Sequence, residues 1–209
     1  MKVATLGSRE RCSGEAARRM GEEGLFQRLA ASNAEAIRAI SAKAIVTHCP
    51  HCLQSIGKEY AELGEEFTVR HHSEVIAELV DTGALTLGEG KTGKVTYHDP
   101  CYLGRHNGVF DAPRKLLDGI KTIELTEMER HRERSFCCGA GGAAMWQGGE
   151  LGNRINLLRA EQALETGAEA IATGCPFCTA MLEEALQSKG AGDTVKVKDI
   201  SELVAEAVE

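Results

Sequence analysis

Eight cysteines punctuate this chain, at positions 12, 49, 52, 101, 137, 138, 175 and 178. Thiols are the side chains whose spacing here could do chemistry. Deprotonated, a cysteine is a soft ligand for iron or zinc and a nucleophile in disulfide exchange. Two pairs are written Cys-Pro-x-Cys, as Cys49-Pro50-His51-Cys52 and Cys175-Pro176-Phe177-Cys178. A third is the contiguous Cys137-Cys138, followed by Gly139, Gly141 and Gly142. Those glycines allow close backbone approach and N–H groups turned toward an anionic centre.

Several chemistries use part of this set. Structural zinc takes four ligands, and a thioredoxin-like dithiol takes one Cys-x-x-Cys and leaves the adjacent pair unexplained. A disulfide scaffold suits an exported chain, whereas buried structural thiols need no spacing at all. Iron–sulfur ligation uses soft thiolates in number, and Cys101, Cys137, Cys138, Cys175 and Cys178 supply five.

The spacing also repeats. Cys12 to Cys49 and Cys138 to Cys175 each span 37 positions, and a shift of 126 superimposes Cys12, Cys49, Pro50 and Cys52 on Cys138, Cys175, Pro176 and Cys178. Ala34-Glu35 then falls on Ala160-Glu161, Thr47 on Thr173 and Val69 on Val195. A repeat this long implies a duplicated domain. Residues 1–83 form a partial first repeat, 84–93 a glycine-rich linker and 94–209 a complete second repeat. Arg11 stands where Cys137 would fall, and the counterpart of Cys101 would precede residue 1. The chain is thus expected to be the C-terminal part of a longer design, with further ligands supplied from outside it.

The elements that must position these residues follow from periodicity. Short apolar runs predict strands at Lys2–Leu6, Ala44–Thr47, Phe67–Arg70, Lys94–Tyr97, Thr122–Leu125, Ala170–Thr173 and Thr194–Val197. Helices are predicted at Gly24–Ser41, Leu53–Leu63, Ser73–Thr82, Ala112–Gly119, Gly152–Thr166, Thr179–Gln187 and Ile200–Ala207. Alternation of this kind means an α/β fold of two pseudo-repeated parallel-sheet lobes. Each Cys-Pro-x-Cys then sits where a strand's C-terminal end meets a helix N-terminus, which favours negative charge, and proline is well placed at the first helical position. Sites in open α/β sheets gather at that end of the strands.

Composition narrows the field. Of 209 residues, 43% are hydrophobic, enough for a core, and the net charge of −7 leaves no basic footprint for nucleic acid. No apolar run approaches the ~18 residues that span a bilayer, and Met1–Gly7 is too short for a signal-peptide core. A cytoplasmic location is expected, with any membrane association made through a partner. His71-His72 and His98-Asp99 are either strand-end polar residues satisfied by the backbone or candidate proton carriers, and His48 and His51 flank the first Cys-Pro-x-Cys. Arg105, Arg114, Trp146 and the Arg18-Arg19 pair read as surface or packing residues.

The segments His98-Asp99-Pro100-Cys101-Tyr102-Leu103-Gly104-Arg105, Cys137-Cys138-Gly139 and Cys175-Pro176-Phe177-Cys178 together resemble the CCG-domain family. That family includes the catalytic subunit of heterodisulfide reductase, lactate- and glycolate-oxidising iron–sulfur subunits, and oxidoreductases associated with electron-transfer flavoproteins. The resemblance implies a [4Fe–4S] cluster, of non-cubane type in heterodisulfide reductase. Its ligands would be Cys101, Cys137, Cys138, Cys175 and Cys178, with Gly139 at the binding loop. Cys12, Cys49 and Cys52 match only the end of the first motif, as a candidate second site. The resemblance further implies an electron-transfer oxidoreductase subunit working with ferredoxin-type, flavoprotein or membrane cytochrome partners and a disulfide or quinone-linked acceptor. A non-catalytic relay subunit and a zinc-stabilised interaction module are the alternative readings.

Overall fold

The computed structural model describes residues 2–146 and 154–209. In chain order the elements are α1 (Glu15–Arg19), α2 (Glu23–Ala39), β1 (Ile45–Thr47), α3 (Pro50–Gln54), β2 (Val69–His71), α4 (His72–Asp81), β3 (Lys94–Tyr97), α5 (Asp111–Gly119), β4 (Glu124–Leu125), α6 (Ile155–Leu164), β5 (Ala170–Thr173), α7 (Pro176–Ser188), β6 (Lys196–Asp199) and α8 (Ile200–Ala207). All strand pairings are parallel: β1 with β2 in one sheet, and β4-β3-β5-β6 in the other. The α/β architecture with two parallel sheets is thus as expected.

Alternation along the strands builds two layers. Val95, Tyr97, Ala170 and Ala172 face a core shared with Leu116, Leu117, Leu203 and Val204 of α5 and α8. Ile171, between two of them, points the other way, toward Ala160 and Ala163 of α6 and Leu182, Ala185 and Leu186 of α7. A strand buried on both faces reads as a continuous apolar run, and Ala170–Thr173 is buried throughout. In contrast, β1 pairs on one side only among the described residues, and Val46 is half exposed. Ala77 of α4 joins the core of the four-stranded sheet, as does Leu87, whose backbone bridges to Val208.

Three expectations need correction. Lys2–Leu6 is irregular and exposed apart from half-buried Leu6, because among the described residues no strand pairs with it. The short helix α1, entered through Gly14 at φ +84°, was not expected. Its Glu15 is buried against Arg19 and His51. The 126-residue equivalence also fails at β2. Ile45 pairs with Val69 but Ile171 pairs with Val197, so the second repeat carries two extra residues there and Val69 answers to Val197, not Val195. Under that register His71-His72-Ser73-Glu74 falls on Asp199-Ile200-Ser201-Glu202, and both segments form capping boxes, His71 with Glu74 and Asp199 with Glu202. The first two positions of the expected helix Gly152–Thr166 lie outside the described residues.

The helical run after Cys49 continues from α3 through a π-helical turn (Ser55–Glu59) and a 3₁₀ turn (Tyr60–Leu63). This register brings Tyr60 under the Cys12 loop. Its hydroxyl donates to Ser13 O at 2.9 Å and accepts from Asn33 Nδ2 at 3.0 Å, while Asn33 also donates to Cys12 O at 2.9 Å.

Candidate metal centre

Three segments of the second repeat converge at the C-terminal ends of β3 and β5. The first leaves β3 through His98 and Asp99, both buried, to Cys101. Asp99 anchors it. Its carboxylate accepts Arg114 Nη1 and Nη2 at 2.7 and 2.9 Å and the Arg132 N–H at 2.7 Å, and its carbonyl accepts Ser135 Oγ at 3.1 Å. The second segment, Ser135–Gly139, is thereby tied to the first. Gly139 takes φ +89°, and a Cβ on it would lie 3.3 Å from Ile155 Cβ. That turn lets its N–H donate to Cys137 Sγ at 3.2 Å. In the third, Cys175 caps α7 with Pro176 at the first helical position, and Cys178 follows one turn later.

The five sulfurs form an unbroken series. Cys101 contacts Cys137, Cys137 contacts Cys138, and Cys138 lies 3.3 Å from Cys178, which contacts Cys175. No disulfide joins any of the eight cysteines. Contacts with Cys101 and Cys138 outweigh burial and hold the Cys137 thiol far below its ordinary value, down to about 2. Burial works against ionisation of Cys175, but Cys178 and His51 bring it down to about 5. The contact with Cys137 pushes Cys101 up, and Cys138 goes up to about 12 for the same reason. Contacts with Cys138 and Cys175 raise Cys178 as well. Further thiolates in so tight a group repel one another in low dielectric unless a cation lies among them. Five sulfurs exceed the four of a tetrahedral zinc site.

The first-repeat cysteines are brought close to this series but do not join it as equals. Cys49 and Cys52 contact each other, and Cys52 Sγ lies 3.4 Å from Ser13 Oγ. Those two contacts, against the effect of burial, lower Cys52 to about 7. Cys12 is exposed, with its Sγ accepting the Gly14 N–H at 3.4 Å. Arg11 turns to Ser8 O and Glu10 O, at 3.1 and 3.0 Å. His51 is one link between the repeats. It contacts Cys175, stacks on Tyr102 at 4.3 Å and meets Phe177 edge-on at 4.8 Å. Its Nδ1 is 3.2 Å from Glu15 Oε2, close enough to pair though poorly aligned for a hydrogen bond. Burial disfavours the charged ring, yet Cys175 and Glu15 raise it to about 9.

Other residues singled out from sequence are placed differently. His48 is exposed. His71 is wholly buried, with Nδ1 2.7 Å from Ser73 Oγ and Nε2 3.0 Å from Gly174 O, the carbonyl just before Cys175. Burial, then the neighbouring His72, lowers it to about 3, so it is a neutral strut and not a proton carrier at neutral pH. Arg114 is no surface residue: it sits between Asp99 and Glu127, with Nε 2.6 Å from Glu127 Oε1. Arg105 reaches back to Ser135 O. Arg159 escaped sequence reading altogether. It is fully buried and donates to His98 Nδ1 at 2.9 Å. A surface cleft of about 630 Å³, lined by Val80, Asp111, Arg114, Lys115 and Glu127 among others, contains no cysteine.

A family model described as the CCG cysteine-rich domain matches residues 1–57 and 95–183. The chain is 46% identical over 208 residues to a probable iron–sulfur-binding oxidoreductase, FadF, of Bacillus subtilis, covering 100% of this chain and 30% of that protein. It is 39% identical over 211 residues to the EtfAB:quinone oxidoreductase of Syntrophomonas wolfei, covering 98% and 29% respectively. It is 36% identical over 217 residues to a subunit of the dihydromethanophenazine:CoB–CoM heterodisulfide reductase of Methanosarcina barkeri, covering 100% and 52%. The chain therefore spans between about three tenths and a half of the length of these relatives.

Proposed function

The chain belongs to the CCG cysteine-rich domain family, and on that premise we propose that it is an electron-transfer module whose Cys101, Cys137, Cys138, Cys175 and Cys178 hold one [4Fe–4S] cluster. The observation that carries this reading is the unbroken series of five contacting sulfurs, with Cys138, Cys175 and Cys178 buried. When bound, such a cluster supplies one-electron chemistry at soft-ligated iron. The protein's own part is to hold the thiolates, to keep water from the buried ones and to set the local charge. Gly139 shapes the loop, and the Asp99 anchor fixes Cys101 relative to Cys137 and Cys138. Cys12, Cys49 and Cys52 are three sulfurs beside the principal site and form a candidate second one, completed by ligands from another segment or subunit. The division into a partial repeat (1–83), a joining segment (84–93) and a complete repeat (94–209) belongs to the same proposal.

By the names of its relatives, the module works inside an oxidoreductase complex. It receives electrons from a ferredoxin-type or flavoprotein partner and passes them to a disulfide or quinone-linked acceptor. No helix among the described residues is long and apolar enough to cross a membrane, so any membrane contact in this reading runs through a partner. The test is substitution in each repeat on protein purified without oxygen. Cys138→Ser is expected to abolish the cluster's absorption and paramagnetic signals, whereas Cys12→Ser leaves most of them. Equal losses from the two would defeat the assignment of the second repeat as principal site.

A further inference from the structure

Behind the second-repeat sulfurs lies a pair of side chains that the ligand set does not use. Arg159, on α6, is fully buried, and among the described residues its guanidinium bonds only neutral acceptors: His98 Nδ1, Arg130 O and Gln162 Oε1 at 2.9 Å each, and Ser135 Oγ at 3.2 Å. Burial lowers it to about 10, which still leaves it charged at neutral pH. A buried cation without a counter-ion is costly. The groups whose negative charge would favour it are Asp99, already held bidentately by Arg114, and, when ionised, the sulfurs of Cys178 and Cys138.

His98 carries that charge toward the sulfurs. Arginine has donors only, so His98 Nδ1 must accept, and the proton of the neutral ring sits on Nε2. That Nε2 is buried with no hydrogen-bond partner. A ring nitrogen of His98 lies within 4.8 Å of Cys138 Sγ and Cys178 Sγ, and Nε2 is the one Arg159 leaves free. A protonated nitrogen has no lone pair for iron, so proximity alone does not make His98 a ligand. The duplication supplies an internal comparison. Under the 126-residue shift Asn33 stands where Arg159 stands, and its neutral amide binds Cys12 O and Tyr60 Oη. At this position the buried arginine belongs to the repeat with five cysteines, and the other repeat has a neutral amide.

We propose that His98 Nε2–H, oriented by Arg159, donates a hydrogen bond to sulfur at the Cys138–Cys178 side of the site and thereby favours its reduced state. This rests on the cluster reading above. His98 is a positioning and tuning residue there, not a ligand. A donor to sulfur stabilises the added electron, so losing it disfavours reduction.

The test compares wild type, His98→Gln and His98→Leu as full chains purified without oxygen, by iron and sulfide content, circular dichroism and redox titration followed by electron paramagnetic resonance. Glutamine returns an amide N–H near the Nε2 position, and leucine does not. All three are expected to carry equal iron and sulfide. His98→Leu should shift the reduction equilibrium about tenfold toward the oxidised form, ~59 mV for one electron, and His98→Gln should restore most of it. If His98→Leu does not fold, His98→Asn, whose amide is too short to reach, takes its place with the same expectation. An unchanged equilibrium in the donor-free variant, or an equal shift in His98→Gln, overturns the proposal. Loss of iron from both folded variants also overturns it, by making His98 a ligand. Wild type lacking iron and sulfide defeats the cluster reading, and the hydrogen bond with it, before any variant is compared.

Discussion

Replacing Arg114 with methionine removes the cation on which two carboxylates depend. The guanidinium meets Asp99 at 2.7 and 2.9 Å and Glu127 at 2.6 and 3.0 Å, and Phe110 O at 2.9 Å. The side chains of Arg114 and Asp99 are only 7% and 3% exposed, whereas Glu127 is 29% exposed. The Glu127 pair is therefore screened and contributes little. Asp99 is the costly group, because methionine fills most of the volume but leaves the carboxylate buried with Arg132 N as its remaining hydrogen-bond donor. Removing one partner of a buried pair costs ~3–5 kcal/mol. For a chain of this size that corresponds to a fall of roughly 10 °C in Tm. Urea unfolding of the metal-free chain reads the loss directly. Adding Asp99→Asn to Arg114→Met should recover part of it, since the amide still accepts the Arg132 N–H. A loss below ~1 kcal/mol, or a double variant weaker than the single one, would refute the claim that this pair anchors the loop into Cys101.

Gly139→Ala should destabilise the chain by ~1–3 kcal/mol, because φ +89° strains any side chain and the 3.3 Å approach to Ile155 Cβ forces its neighbour to shift. It should also lower iron content, and full stability with full iron would contradict the role given to this turn. His71 predicts an acid-sensitive tie between the repeats. Its folded value of about 3 lies below the ordinary 6.5, so its contribution is present above pH ~6.5 and is lost as the pH falls toward ~3. The loss is on the order of 5 kcal/mol at the acid limit. In urea unfolding between about pH 7 and 4, His71→Gln should show a flatter decline than wild type, and parallel declines would refute the assignment.

How much of this was legible in the sequence depended on the range of each interaction. Ala170–Thr173 was readable as a buried parallel strand because its apolar run is local, and Cys175-Pro176 announced the start of α7 through the fixed φ of proline. Lys2–Leu6 carries the same apolar signal but no partner strand, and propensity without pairing does not make a strand. The two-residue offset between β2 and β6 could have been found in the His71–Glu74 and Asp199–Glu202 capping patterns, which match only at the shifted register. For the site, the cysteines advertised themselves by spacing. The Asp99–Arg114 and His98–Arg159 contacts join residues 15 and 61 positions apart, and nothing local distinguishes a buried arginine on an amphipathic helix from a solvated one. His71 shows the same limit. Two adjacent histidines suggest proton traffic, whereas full burial and the Gly174 carbonyl make one of them a neutral strut.

The central claim is that five thiolates of the second repeat hold one iron–sulfur cluster, and the most direct measurement is iron, zinc and acid-labile sulfide per chain after purification without oxygen. About four iron and four sulfide per chain are expected, lost together in Cys138→Ser. Zinc without sulfide would contradict it, and would make the same sulfurs a structural metal site.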